Sequence, residues 1–183
     1  MDVTAVVLAG GQGSRIGGDK ALVQLGGRPL ISYPLAAARA AGLEAVVVAK
    51  RSTRLPPLQV TILLEPDAPS HPLVGIITAL QSLPAVIALP CDMPFVAPAD
   101  LAALAAMPED LAALSLDQPF PSLYRRAALS QLQQALDARR SMRSLHARSQ
   151  RAPAINSAAG LVPPASINTP EDLAAAEAWL RSG

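Results

Sequence analysis

Cysteine, aromatic residues and net charge are all scarce in this 183-residue chain. A single cysteine, Cys91, leaves nothing to form an internal disulfide and suits a reducing compartment. Aromatic side chains make up 3% of the residues, so alanine, leucine and valine must fill the core. A formal charge of +1 exerts no overall pull on nucleic acid, and any electropositive ligand site has to be local. No stretch reaches the roughly 18 uninterrupted apolar residues that a membrane-spanning helix needs. The apolar opening is also too short for a secretory signal and carries Asp2 instead of a basic segment. These absences predict a soluble, cytoplasmic protein that binds neither membrane nor nucleic acid.

What is plentiful is apolar character. Hydrophobic residues account for 51% and charged ones for only 16%, a balance that favours a well-buried globule over disorder. The length fits one domain spanning residues 1–183.

The most informative stretch lies at the start. Residues 3–9 are apolar, rich in β-branched side chains and uncharged, and read as a strand buried on both faces. The run breaks into five glycines within nine residues, Gly10, Gly11, Gly13, Gly17 and Gly18. Such a loop can bring backbone N–H groups close to a ligand with no Cβ in the way. Arg15 offers a planar fork and Lys20 a compact point charge, both suited to phosphate oxygens. The simplest ligand is a polyphosphate. Two commoner glycine motifs fail: Ile16 stands where a dinucleotide fingerprint needs its third glycine, and Asp19 where a P-loop needs its lysine.

Farther along, 22–30 reads as a short extended piece and a turn, with a helix from Pro29 to about 41 that is stopped by Gly42. Strands over 43–49 and 58–64, a proline-rigid loop over 65–72, a helix over 73–83 and a strand over 85–89 follow. This alternation makes a parallel sheet with right-handed crossovers, in which ligands collect beyond the carboxyl ends of the strands. Further helices are predicted over 98–107 and on the Leu129, Leu132, Leu136 face, with strands near 111–116 and 118–125.

At one such carboxyl end stands Asp92, locked between Pro90 and Pro94 and placed to hold a hard divalent cation such as Mg²⁺. Cys91 beside it reads as a small packing residue, because no general base is indicated nearby. The stretch 125–151 concentrates seven arginines (125, 126, 139, 140, 143, 148 and 151) against the lone acid Asp137. Two readings stay open there: a basic wall for an anionic second substrate, or a solvated helix face. Near the end, Thr169 as N-cap, Pro170 as first helical residue and Asp172 reaching back announce a helix with Leu173, Ala176 and Leu180 along one side.

The string Leu8-Ala9-Gly10-Gly11 through Arg15 and Gly17-Gly18-Asp19-Lys20 resembles the loop of sugar-nucleotide-type nucleotidyltransferases, in particular that of the molybdenum cofactor guanylyltransferases. Three later segments are similar to that family: Leu89 to Pro94 (L-P-C-D-x-P), Gln118 to Arg125 (Q-P-x-x-x-L-Y-R) and Asn168 to Leu173 (N-T-P-E-[DE]-L). The resemblance implies an α/β fold, a single three-layer domain with a mainly parallel twisted sheet and helices on both faces, like the nucleotide-diphospho-sugar transferases. It implies transfer of GMP from GTP to the phosphate of molybdopterin, or its molybdenum-loaded form, with release of pyrophosphate and Mg²⁺ as cofactor. Leu8, Ala9, Gly10, Gly11 and Gly13 would hold the nucleotide with Lys20, Asp67 and Asp92. Arg15, Lys20 and Asp92 would be catalytic, Asp92 would ligate the metal, and Asn168 would stand behind it as an outer partner. Proteins that insert molybdenum and chaperones of the acceptor enzymes are the implied partners.

The chain departs from the family in places. His71 replaces a glycine and Val74 an alanine in G-P-L-A-G, Ala49 stands where an asparagine sometimes occurs, and Ser166 where another Asn or Asp is common. Three rivals follow: a CTP-dependent transferase acting on the same pterin, a sugar-1-phosphate nucleotidyltransferase, and a non-catalytic nucleotide-binding partner. The guanylyltransferase reading requires Lys20 and Asp92 to close on one magnesium-bound triphosphate.

Overall fold

In a computed structural model, residues 3–11, 19–113, 119–146, 150–151 and 164–182 are described. The chain opens with β1 (Val3–Leu8), a hairpin of β2 (Gln24–Leu25) and β3 (Arg28–Pro29), and α1 (Ser32–Ala40). It continues through β4 (Glu44–Ala49), β5 (Thr61–Leu64), α2 (Pro72–Ser82), β6 (Ala85–Pro90) and α3 (Pro98–Ala106). Then come β7 (Leu111–Ala113), β8 (Ser122–Arg125), α4 (Leu129–Asp137), α5 (Met142–His146), β9 (Gln150–Arg151) and α6 (Pro170–Ser182).

Seven strands form one sheet in the order β5-β4-β1-β6-β8-β7-β9. The first four run parallel, β8 is antiparallel to both β6 and β7, and β9 is parallel to β7. The expected α/β fold with a mainly parallel sheet is therefore present, and the antiparallel strand is the one that carries Leu123 and Tyr124.

Side-chain alternation explains the three layers. Ala5 and Val7 of β1, with Ile87 and Leu89 of β6, pack on Ile31, Ala38, Leu101 and Leu104 from the α1 and α3 side. Val6, Val86 and Ala88 face the other way, onto Leu73, Ile76 and Leu80 of α2 and Leu132 of α4. Each fully buried Leu or Ile contributes roughly 1.5–3 kcal/mol relative to exposure, so a strand that is apolar on both faces requires helices on both.

Two boundaries differ from expectation. Pro29 was predicted to start a helix, yet it pairs with Gln24 in the β2–β3 hairpin, and α1 begins at Ser32. Gly26 and Gly27, both at positive φ, close the turn that draws Pro29 back. The third strand was expected from residue 58, but pairing with β4 starts only at Val46 with Thr61. Leu58 and Val60 instead pack on the core without a strand partner. β5 is an edge, with Ile62 43% and Leu64 52% exposed. Among the described residues no helix is long and apolar enough to cross a membrane.

Candidate active site

Four parallel strands end on the same side of the sheet, and each ends in a residue that faces one cavity. Leu8 ends β1 and Gly10 follows it, Lys50 follows β4, Glu65 follows β5, and Pro90 ends β6 with Cys91 and Asp92 after it. This is where open parallel sheets collect ligands, because the diverging loops leave a crevice there. The cavity has a volume of about 200 Å³, and Ser70, His71 and Pro72 bring the amino end of α2 to its wall. Unpaired N–H groups at a helix start favour an anion. A larger concavity of about 820 Å³ lies at the opposite end, against Arg28, Arg39 and the start of β4, and contains none of these residues.

At the centre of the cleft, Lys20 Nζ donates to Asp92 Oδ2 at 2.6 Å and to Asn168 Oδ1 at 2.6 Å. These contacts join segments 72 and 148 residues apart. The side chains of Lys20 and Asp92 are only 17% and 14% exposed, so water screens the pair weakly. Lys20 opens a short 3-10 turn over Lys20–Leu22, pinned where Leu22 N–H donates to Asp19 O at 2.9 Å.

The backbone fixes the two oxygens. Cys91 N–H donates to Leu8 O, which ties the Asp92 loop to β1, and Ile167 N–H donates to Asp92 O at 2.9 Å. Ile167 is fully buried in a separate cluster with Leu25, Leu30 and Ala176 of α6, while Phe95 packs edge-on against Trp179 at 4.6 Å. Thr169 and Asp172 form the predicted reciprocal cap. Asp172 Oδ2 accepts from the N–H groups of Asn168 (2.8 Å) and Thr169 (2.9 Å), and Asp172 N–H donates to Thr169 Oγ1. The Asn168 N–H bond, and then the one from Thr169, hold the Asp172 carboxyl below its ordinary range. Asn168 Nδ2 donates to Ser166 Oγ, which turns its oxygen towards Lys20.

The remaining candidates divide. Ala9 N–H donates to Val48 O at 2.8 Å, and Gly10 and Gly11 line the cavity. Gly13 and Arg15 lie outside the described residues. Asp67 is exposed; its carbonyl, not its carboxylate, accepts from Lys50 Nζ. Cys91 is buried and its thiol is pushed up to about 12, by burial first and then by the Asp92 charge, which fits a packing role. His71 caps α2 by accepting from Leu73 N–H through Nδ1.

Two lining residues escaped the sequence reading: Glu65 and Lys50. Both are the first residue after a parallel strand, at the same carboxyl edge of the sheet that singled out Asp92. Glu65 lies in a slot between glycines. A Cβ on Gly10 would come within 1.8 Å of its Oε1, and one on Gly75 within 2.8 Å of its Oε2. Burial raises the Glu65 carboxyl above its ordinary value, against the lowering pull of Lys50.

The arginine-rich stretch is split. Arg125 donates to the carbonyls of Glu109 and Met107, and Arg126 to that of Leu80, so both tie down the carboxyl ends of helices. Arg143 instead lines a second groove of about 400 Å³, with Asp92, Phe120, Ser166 and Asn168. Pro90, Asp92 and Phe120 border both hollows. Among the described residues no three His, Cys, Asp or Glu side chains converge as a metal cluster. The oxygens of Asp92 and Asn168 already hold one cation, the Lys20 ammonium, and as hard donors they suit Mg²⁺ completed by phosphate and water.

A three-layer sheet whose carboxyl-end crevice carries a glycine loop, a lysine and an aspartate defines a nucleotidyltransferase. Residues 5–153 match the MobA-like NTP transferase domain, and the chain belongs to that family. It is 35% identical to a molybdenum cofactor guanylyltransferase of Rhodobacter capsulatus, over 99% of this chain and 98% of that protein. A second protein of that name, from Xanthomonas euvesicatoria pv. vesicatoria (strain 85-10), is 35% identical over 78% of this chain and 77% of its own. The crystal structure of molybdopterin-guanine dinucleotide biosynthesis protein A from Archaeoglobus fulgidus superposes with a TM-score of 0.75 at 24% identity, covering 98% of this chain and all of the other.

Proposed function

We propose that this protein transfers GMP from GTP to the phosphate of molybdopterin, or of its molybdenum-loaded form, and releases pyrophosphate. The observation that carries this reading is the meeting of Lys20, Asp92 and Asn168 in one cleft beside the glycine loop. The names of the two bacterial relatives support the choice of guanine and of the pterin acceptor.

An oxygen of the acceptor phosphate attacks the α-phosphorus, a new P–O bond forms, and the bond to the β-phosphate oxygen breaks with its electrons leaving on pyrophosphate. In-line displacement needs the nucleophile opposite the leaving group. The two hollows meeting at Asp92 suit that demand: the nucleotide occupies the one with Gly10, Gly11, Lys50 and Glu65, and the acceptor the one with Arg143. Lys20 and Arg15 offset charge on the reacting phosphates. Asp92, with Asn168 beside it, would hold Mg²⁺, which when bound neutralises phosphate charge. Asp67 stays a candidate contact for the nucleotide through its loop.

The test is pyrophosphate release from purified protein with Mg²⁺, molybdopterin and each nucleoside triphosphate in turn. Release with GTP is expected. Release with CTP alone would transfer the assignment to a cytidylyltransferase, and none with any triphosphate would leave only a nucleotide-binding role.

A further inference from the structure

Lys20 holds two oxygens that a divalent cation would also need. Its Nζ lies 2.6 Å from both Asp92 Oδ2 and Asn168 Oδ1, so an ion bridging that pair from the same side would overlap the ammonium. The segments that carry these oxygens are held in place. Ile167 N–H fixes the Asp92 backbone, Asp172 fixes the Asn168 backbone, and Ser166 fixes the Asn168 amide. Withdrawing alone, the ammonium would leave the Asp92 carboxylate, only 14% exposed, without its cation. Yet there is room for it beside Gly10 and Gly11, where Lys20 also borders a hollow of about 270 Å³ with Lys50 and Thr53.

We propose that Lys20 is the resident counter-cation of the metal site: it occupies Asp92 and Asn168 while the cleft is without nucleotide, and gives them up when a triphosphate offers it another anion. This rests on reading the cleft as a metal–nucleotide site. Metal and nucleotide then bind as linked ligands, each raising the affinity for the other by the same factor. The device keeps an almost buried carboxylate neutralised at all times.

The test uses the full chain and Mn²⁺ as the probe, with bound and free ion counted by electron paramagnetic resonance in the absence of nucleotide. Lys20→Met should bind Mn²⁺ about tenfold or more tighter than wild type, within the range usual for coupled sites. Lys20→Arg, which keeps a cation, should stay near wild type, and Asp92→Asn in the Lys20→Met background should lose the gain. Lys50→Met removes a cation that lines the same cavity without touching Asp92, and should change the affinity by less than about threefold. Lys20→Gln repeats the measurement if the methionine variant does not fold. Equal Mn²⁺ affinity in wild type and the Lys20 variant would overturn the proposal, as would an equal gain in Lys50→Met. Turnover does not enter this readout. Failure of pyrophosphate release with every triphosphate would remove the functional reading and leave the titration to decide the part Lys20 plays.

Discussion

A lysine and a carboxylate in direct contact, both largely buried, gain little from one another in net stability, because desolvation offsets much of their attraction. Their worth lies in the charges they present to a ligand. Lys20→Ala and Asp92→Ala should each lower GMP transfer by about a hundredfold or more, the loss typical of a deleted charge-stabilising group. Near-normal turnover by either folded variant would take that residue out of the mechanism. Glu65 gives a prediction with a pH signature. Burial raises its folded-state pKa above 4.5, so its ionised form costs stability at neutral pH, and that cost disappears as pH falls below the unfolded value. Thermal unfolding of Glu65→Gln should therefore occur at a higher temperature than wild type at pH 7, with the gap closing towards pH 4. The same variant should bind nucleotide more weakly if the carboxylate faces the base.

At the scale of elements, α6 supplies no side chain to the cleft, yet its first turn positions one. Asp172 accepts from two backbone N–H groups, one of them that of Asn168, so the helix start and the site are built from the same bonds. Asp172→Ala should cost about 1 kcal/mol of unfolding free energy, as for a lost N-terminal cap. Its folded pKa is lowered, so this contribution is present above pH 3.8 and is lost as pH falls through the folded value. Chemical denaturation at pH 7 and in acid checks both halves. Thr169→Ser, which keeps the hydroxyl, should be nearly silent. The arginines show how an element can absorb charge that looks available: Arg125 and Arg126 hold the carbonyls where α3 and α2 end.

For the whole molecule, two hollows meet at Asp92, and next to β6, the last of four adjacent parallel strands, the sheet turns antiparallel with β8. That switch opens the groove bordered by Phe120 and Arg143. Among the described residues the Arg143 side chain makes no hydrogen bond or ion pair, and Arg143 is exposed at the groove. Arg143→Ala should raise the KM for molybdopterin by about tenfold or more, the loss of a charge-assisted hydrogen bond. Nucleotide affinity should stay nearly constant, and Arg143→Lys should fall between. An unchanged acceptor KM would move the acceptor elsewhere.

The sequence by itself determined the elements whose cause is local. Apolar runs without charge made β1, β4 and β6, the Thr169-Pro170 start made α6, and the glycine loop and Asp92 declared themselves by residue type at the ends of predicted strands. Tertiary structure decided whatever depends on a partner far along the chain. Pro29 joined a hairpin because Gln24 was there to pair with it, and β5 became an exposed edge because, among the described residues, no strand pairs with its outer side. Glu65 and Lys50 entered the cleft because β4 lies beside β1 and β5 beside β4, an order that no local pattern encodes. Among seven similar arginines, the carbonyls that Arg125 and Arg126 found, and the groove that Arg143 borders, separated tethers from a side chain that faces a groove. Periodicity and capping act over a few residues, whereas contacts such as Lys20 with Asn168 exist only once the whole sheet has closed.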